Sequence, residues 1–133
     1  MDPKKSNNLS PRIKVIQKLY NALINPDAII EYPKSQYKKF IKDVVTGTLE
    51  RSDLIEFQIK SFLANDINLT KTDKLLKIIL FAAIFELMFK HNTPKKVIIR
   101  EYLLASEHFL EKIQIGYLNA ILDKISKELR KDD

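Results

Sequence analysis

Apolar residues recur along this chain at three- and four-residue spacing, the period of a helix face, and turn residues divide the pattern into six segments. The first opens at Ser10-Pro11. Serine suits a helix cap and proline the first helical position. Ile13, Ile16, Leu19, Tyr20 and Leu23 share one face, and Lys14, Gln17, Lys18 and Asn21 fall on the opposite one. Asn25-Pro26 closes the segment, because a residue before proline is pushed out of the helical region. Residues 26–34 read as a loop, with room for one helical turn at Asp27–Glu31. A second helix is predicted from Lys34 to about Thr46, with the stripe Phe40, Ile41, Val44 and Val45. It either ends near Gly47 or continues through it. A third is predicted from about Ser52 to Ala64, with Leu54, Ile55, Ile59, Phe62 and Leu63 inward.

Thr70-x-x-Asp73 resembles a capping box with Asp in the usual Glu place, opening a helix over Leu75–Phe89. That helix is apolar nearly all round, which predicts a central position. It is shorter than the roughly 20 residues that span a bilayer and contains Lys77 and Glu86. Thr93-Pro94 starts a fifth helix through about Phe109, with Val97, Ile98, Tyr102, Ala105 and Phe109 inward. The last runs from about Ile113 to Arg130 on the stripe Leu118, Ile121, Leu122, Ile125 and Leu129. With 2 Gly and 5 Pro in 133 residues, turn residues are too few for a sheet protein, so the expected class is all-α. One helical domain over residues 10–133 is expected, preceded by a mobile basic tail at 1–9. That polar N-terminus lacks the apolar core of a secretory signal.

Cysteine is absent. This excludes disulfides and thiolate metal sites and suits a reducing cytoplasm. The two histidines, His91 and His108, are not at ligand spacing, and no glycine-rich phosphate loop exists. His108 beside Glu107 and Glu111 reads as a surface histidine among helix charges. No metal, no cofactor and no enzymatic activity are expected. The net charge of +6 draws the chain to polyanions, either nucleic acid or an anionic membrane, or else serves solubility alone. The first helix sharpens that choice. Lys14, Gln17, Lys18 and Asn21 share a face, preceded by Arg12, Lys4 and Lys5. Cations with amides suit phosphate contact and base-edge hydrogen bonding, and Tyr20 suits stacking on unpaired bases. A solvated basic face is the alternative, and Arg12 falls off this face in a regular helix. Glu86, inside the apolar helix, requires a basic partner in the chain, a protein partner or an exit to solvent.

Several segments, read in order, resemble the NusB family of transcription antitermination factors. Arg12, Lys14 and Gln17 to Tyr20 look like that family's opening helix. Phe40 to Gly47 is similar to its F-x-x-x-L-x-x-G segment, and Ala83 to Leu87 to A-x-Y-E-L. Thr93-Pro94, Val97, Ile99 and Glu101 are similar to V-P-x-x-V-x-I-x-E, and Tyr117 to Lys124 to F-V-N-G-V-L-D-K. Residues 25–39 look shortened, and the family's N-terminal arginine cluster is thinned to Arg12 and lysines, which lack arginine's planar fork.

The resemblance implies a compact all-α domain of two packed, antiparallel three-helix subdomains. It implies binding of single-stranded boxA-type RNA together with NusE, a small-subunit ribosomal protein. The complex would act on RNA polymerase to suppress termination in ribosomal RNA operons. Carried over by residue, it puts Arg12, Lys14, Gln17, Lys18, Tyr20, Tyr117, Asn119 and Asp123 at or near RNA and Glu86 against NusE. Two other readings stay open. One is a helical accessory module of the kind found in ribosomal RNA cytosine methyltransferases, whose catalytic portion is not expected in a chain ending at Asp133 without a cofactor loop. The other is a helical homodimer with no RNA role, using an exposed apolar remainder of the fifth helix at Ile99 and Leu103.

Overall fold

The computed structural model describes residues 10–131; the tail expected at 1–9 lies outside the described residues. Six helices make up the described chain: α1 (Pro11–Ile24), α2 (Lys38–Glu50), α3 (Ser52–Phe62), α4 (Lys74–Phe89), α5 (Lys95–Ser106) and α6 (Lys112–Leu129). No strand occurs among the described residues. α4 packs on all five other helices. It buries Leu76, Ile79, Leu80, Ala82, Ala83, Ile84, Phe85 and Leu87, as expected of a helix apolar nearly all round. The second half, α4–α6, is a mutually packed trio. In the first half α1 packs on α2 and α2 on α3, and α4 closes that set from the other side.

Helix boundaries differ from the sequence expectation where turn chemistry competes with periodicity. α2 begins at Lys38 rather than Lys34, because residues 34–37 form a bend and turn after Pro33. The 25–37 connection holds no helix. α2 runs through Gly47 and stops at Arg51. Gly47 serves close approach instead: a Cβ there would stand 2.1 Å from the Phe85 ring of α4. Thr70 is not the cap of α4. Asp73 is itself the N-cap, accepting hydrogen bonds from the amides of Leu75 and Leu76 at 3.1 and 3.2 Å, while Thr70 turns back onto Asn68. α5 ends at Ser106, three residues short of Phe109. α6 opens on a capping box of Glu111 and Gln114.

Packing also corrects two burial expectations. Leu54 on α3 is 39% exposed and Leu23 on α1 is 49% exposed, rather than inward. On α5, Ile99 and Leu103 are partly buried against the core and line a shallow surface depression with the exposed Leu104.

The C-terminal end of α4 is closed by α6. Arg130, buried, donates through its guanidinium to the carbonyls of Leu87, Lys90 (2.9 Å), Thr93 (3.1 Å) and Glu86 (3.3 Å). A cation at the carbonyl end of a helix satisfies orphan acceptors and opposes the negative pole of the helix dipole.

Candidate nucleic-acid interface

α1 has two unlike sides. Ile13, Val15, Ile16 and Leu19 are buried, and Arg12 is buried with them. Lys14, Gln17, Lys18 and Asn21 line a groove of about 780 Å³ on the other side. Tyr20 lines it too. The α1–α2 connection and the start of α2 line the same groove, with Tyr32, Gln36, Tyr37 and Lys38. No aspartate or glutamate lines this groove, while three lysines do. Its size falls within the roughly 300–1,000 Å³ of ordinary ligand clefts. A cleft that gathers one sign of charge between low-dielectric walls focuses its field and concentrates counter-charges. Four of the sequence-predicted RNA residues, Lys14, Gln17, Lys18 and Tyr20, thus come together.

Arg12 and Glu86 do something else. The Arg12 guanidinium grips the Glu86 carboxylate with two bonds, Nε to Oε2 at 3.0 Å and a terminal nitrogen to Oε1 at 2.7 Å. Glu86 is 0% exposed and Arg12 8%. The rings of Phe40 from α2 and Tyr102 from α5 lie 4.9 and 5.5 Å from the guanidinium carbon. Burial works against the Arg12 charge, but the hydrogen bond and charge of Glu86 outweigh it and raise its pKa. Burial first, and the Glu86 charge second, hold the Tyr102 phenol well above its ordinary range. Both site expectations are corrected here. Arg12 does not reach an RNA surface and Glu86 does not face a partner, because each neutralises the other inside the core. The signal was present in the sequence: a lone carboxylate in an apolar helix and one cation off the basic face.

The α6 residues lie apart from the groove. Tyr117, Asn119 and Asp123 are exposed, and none lines it. The Tyr117 hydroxyl donates to the Asp66 carbonyl in the α3–α4 connection. Asp123 pairs with Lys127 at 3.1 Å. Asn119 and Asp123, four residues apart, share a face, while Tyr117 stands about 200° from Asn119 around the helix.

The NusB family model matches residues 6–127. The chain belongs to the NusB family. It is 31% identical to the transcription antitermination protein NusB of Rhodopseudomonas palustris, over 71% of this chain and 54% of that protein. To the NusB of Sphingopyxis alaskensis it is 33% identical, over 69% and 62% of the two chains. To that of Rickettsia conorii it is 30% identical, over 86% and 76%. The chain thus spans little more than half the length of the first of these relatives. The solved structure of T. maritima NusB has the same fold, with a TM-score of 0.76, 21% identity and coverage of 90% and 91% of the two chains. NusB is a family of non-enzymatic proteins, which agrees with a sequence lacking catalytic constellations. No helix among the described residues is long and apolar enough to cross a membrane.

Tyr32, Gln36 and Tyr37 were missed by pattern reading. They sit where helical periodicity fails and the family resemblance is weakest. The available signal was composition: two tyrosines within six residues of a loop, where large aromatics are otherwise expected in a core.

Proposed function

We propose that this NusB-family chain is a cytoplasmic transcription antitermination factor that holds single-stranded boxA-type RNA, jointly with the ribosomal protein NusE, in service of RNA polymerase on ribosomal RNA operons. One observation carries the reading. The basic and amide side chains of α1 converge on a groove of about 780 Å³ lined by no carboxylate. Lys14 and Lys18 are half-exposed and form no ion pair with a described residue, so their charge is available to phosphates. Gln17 and Asn21 add donors and acceptors for base edges. Asn119 and Asp123 are then contacts of a strand that runs beyond the groove. Glu86 is sealed in the core, so NusE must be met by exposed residues.

Fluorescence anisotropy with a labelled boxA-type RNA, with and without NusE, tests this. Lys14→Ala and Lys18→Ala should each weaken binding at every RNA sequence and lower the slope of log affinity against log salt by about 1. Failure of the protein to bind RNA or NusE, separately or together, overturns the reading.

A further inference from the structure

We infer that the α1–α2 connection is the base-reading wall of the groove, with Tyr37 and Tyr32 stacking on unpaired nucleobases of the RNA whose phosphates face Lys14 and Lys18. The inference rests on the RNA reading above and goes beyond it, because these residues lie in the segment least like the family. The groove brings cations and aromatic rings together. Lys14, Lys18 and Tyr20 come from α1, and Tyr32 and Tyr37 come from the α1–α2 connection, with Lys38 following at the start of α2. Cations that track a backbone beside aromatic rings that take bases are the two components of single-strand binding sites.

The mounting of the rings fits the task. Tyr32 is partly buried and packed against the core, and Pro33 after it restricts its backbone to extended conformations. Its ring is thus held before any ligand arrives. Tyr37 is the N-cap residue of α2, yet makes no side-chain cap hydrogen bond. Caps favour Ser, Thr, Asp or Asn, so helix capping does not account for tyrosine here. It is 39% exposed at the groove. None of the three tyrosine hydroxyls hydrogen bonds to a described residue. A polyanion recognised by charge alone would need the lysines and would be indifferent to these rings.

The test is a set of variants measured with the same labelled RNA. Tyr37→Ala should weaken binding about tenfold, the lower range for loss of one base–aromatic stack, and leave the salt slope unchanged. Tyr37→Phe, which keeps the ring, should bind as the parent does. Tyr32→Leu, which keeps apolar packing but not the π face, should also weaken binding; circular dichroism melting checks that the fold persists. The chain has no tryptophan, so its tyrosine emission is directly readable. RNA should quench that emission in the parent and quench it less in Tyr37→Ala. Polyphosphate of matched charge should bind more weakly and ignore Tyr37→Ala. If Lys14→Ala lowers the salt slope while Tyr37→Ala and Tyr32→Leu bind as the parent, this inference is overturned and the RNA reading stands. If Tyr37→Phe falls as far as Tyr37→Ala, or polyphosphate loses affinity equally, stacking is wrong. If the parent binds no RNA, both fail.

Discussion

Arg12 and Lys14 lie two residues apart on α1, about 200° apart around its axis, and their surroundings share almost nothing. Arg12 enters the core, where α2, α4 and α5 surround it, and its charge is spent on Glu86. Lys14 enters a groove lined by other cations and tyrosines, with no carboxylate to meet it. Both are basic residues near the start of a basic helix, and the family resemblance put both at RNA. The difference is which element packs opposite. A planar guanidinium can bind a carboxylate through two parallel bonds and stack against rings, which makes it the cation able to survive burial. An ammonium on a flexible stem is better held in water, where it can exchange its hydration for a phosphate.

That contrast can be broken from the core side first. Glu86→Ala leaves the Arg12 guanidinium buried without its counter-charge, and should lower stability by about 3–5 kcal/mol. Thermal or denaturant unfolding reads this directly. The double change Arg12→Met with Glu86→Leu should recover most of the loss, since replacing both members of a buried pair by packed apolar groups is often neutral or stabilising. If the single and double variants melt alike, the pair does not carry the structural role assigned to it. Arg130→Ala should follow, at roughly 2–3 kcal/mol, because the carbonyls of Leu87, Lys90 and Thr93 lose a charged donor. Gly47→Ala comes next. Its methyl group collides with the Phe85 ring at the α2–α4 contact, an overpacking that typically costs about 1–3 kcal/mol. Gly47→Ala combined with Phe85→Leu should regain stability, and no gain would show that the ring is not the obstacle.

From the groove side the effects on stability are smaller. Lys14→Ala and Lys18→Ala should change unfolding free energy by no more than about 0.5 kcal/mol, while shifting the salt dependence of RNA binding as described above. A melting temperature that falls as far as in Glu86→Ala would erase the contrast between the two sides of α1. The smallest effect concerns Tyr102, whose hydroxyl is buried with no hydrogen-bond partner among the described residues. Its pKa is raised by burial and then by Glu86. The folded state therefore holds the phenol proton above the ordinary tyrosine pKa of about 10, where the unfolded chain releases it. Stability from this group is fully present below that pH and falls as pH rises beyond it. Tyr102→Phe should be near neutral at pH 7 and should flatten the alkaline decline in a pH series of melts; an unchanged slope would count against this origin.

Periodicity and composition determined much of this protein. Six helices, a central fourth helix, an all-α class and a cluster of cations and amides on one face of α1 follow from 3.6-residue spacing and the scarcity of turn residues, which are local properties of the chain. The inward set of α6 was legible for the same reason, whereas on α1 the same spacing put Tyr20 and Leu23 inward although Tyr20 lines the groove and Leu23 is exposed. Other features depended on contacts between residues far apart in sequence. Arg12 and Glu86, 74 positions apart, meet only after α1 and α4 pack, and Arg130 reaches the end of α4 from 40 or more positions away. Gly47 resembles a helix end until Phe85 is seen against it. Tyr32 and Tyr37 carry no periodic signal, since a loop has none, and they became part of a site only when the connection folded back alongside α1. Helical spacing tells which side of a helix is apolar, but which cation is buried, which glycine is obligatory and which loop faces a groove are decided by what the tertiary fold places opposite them.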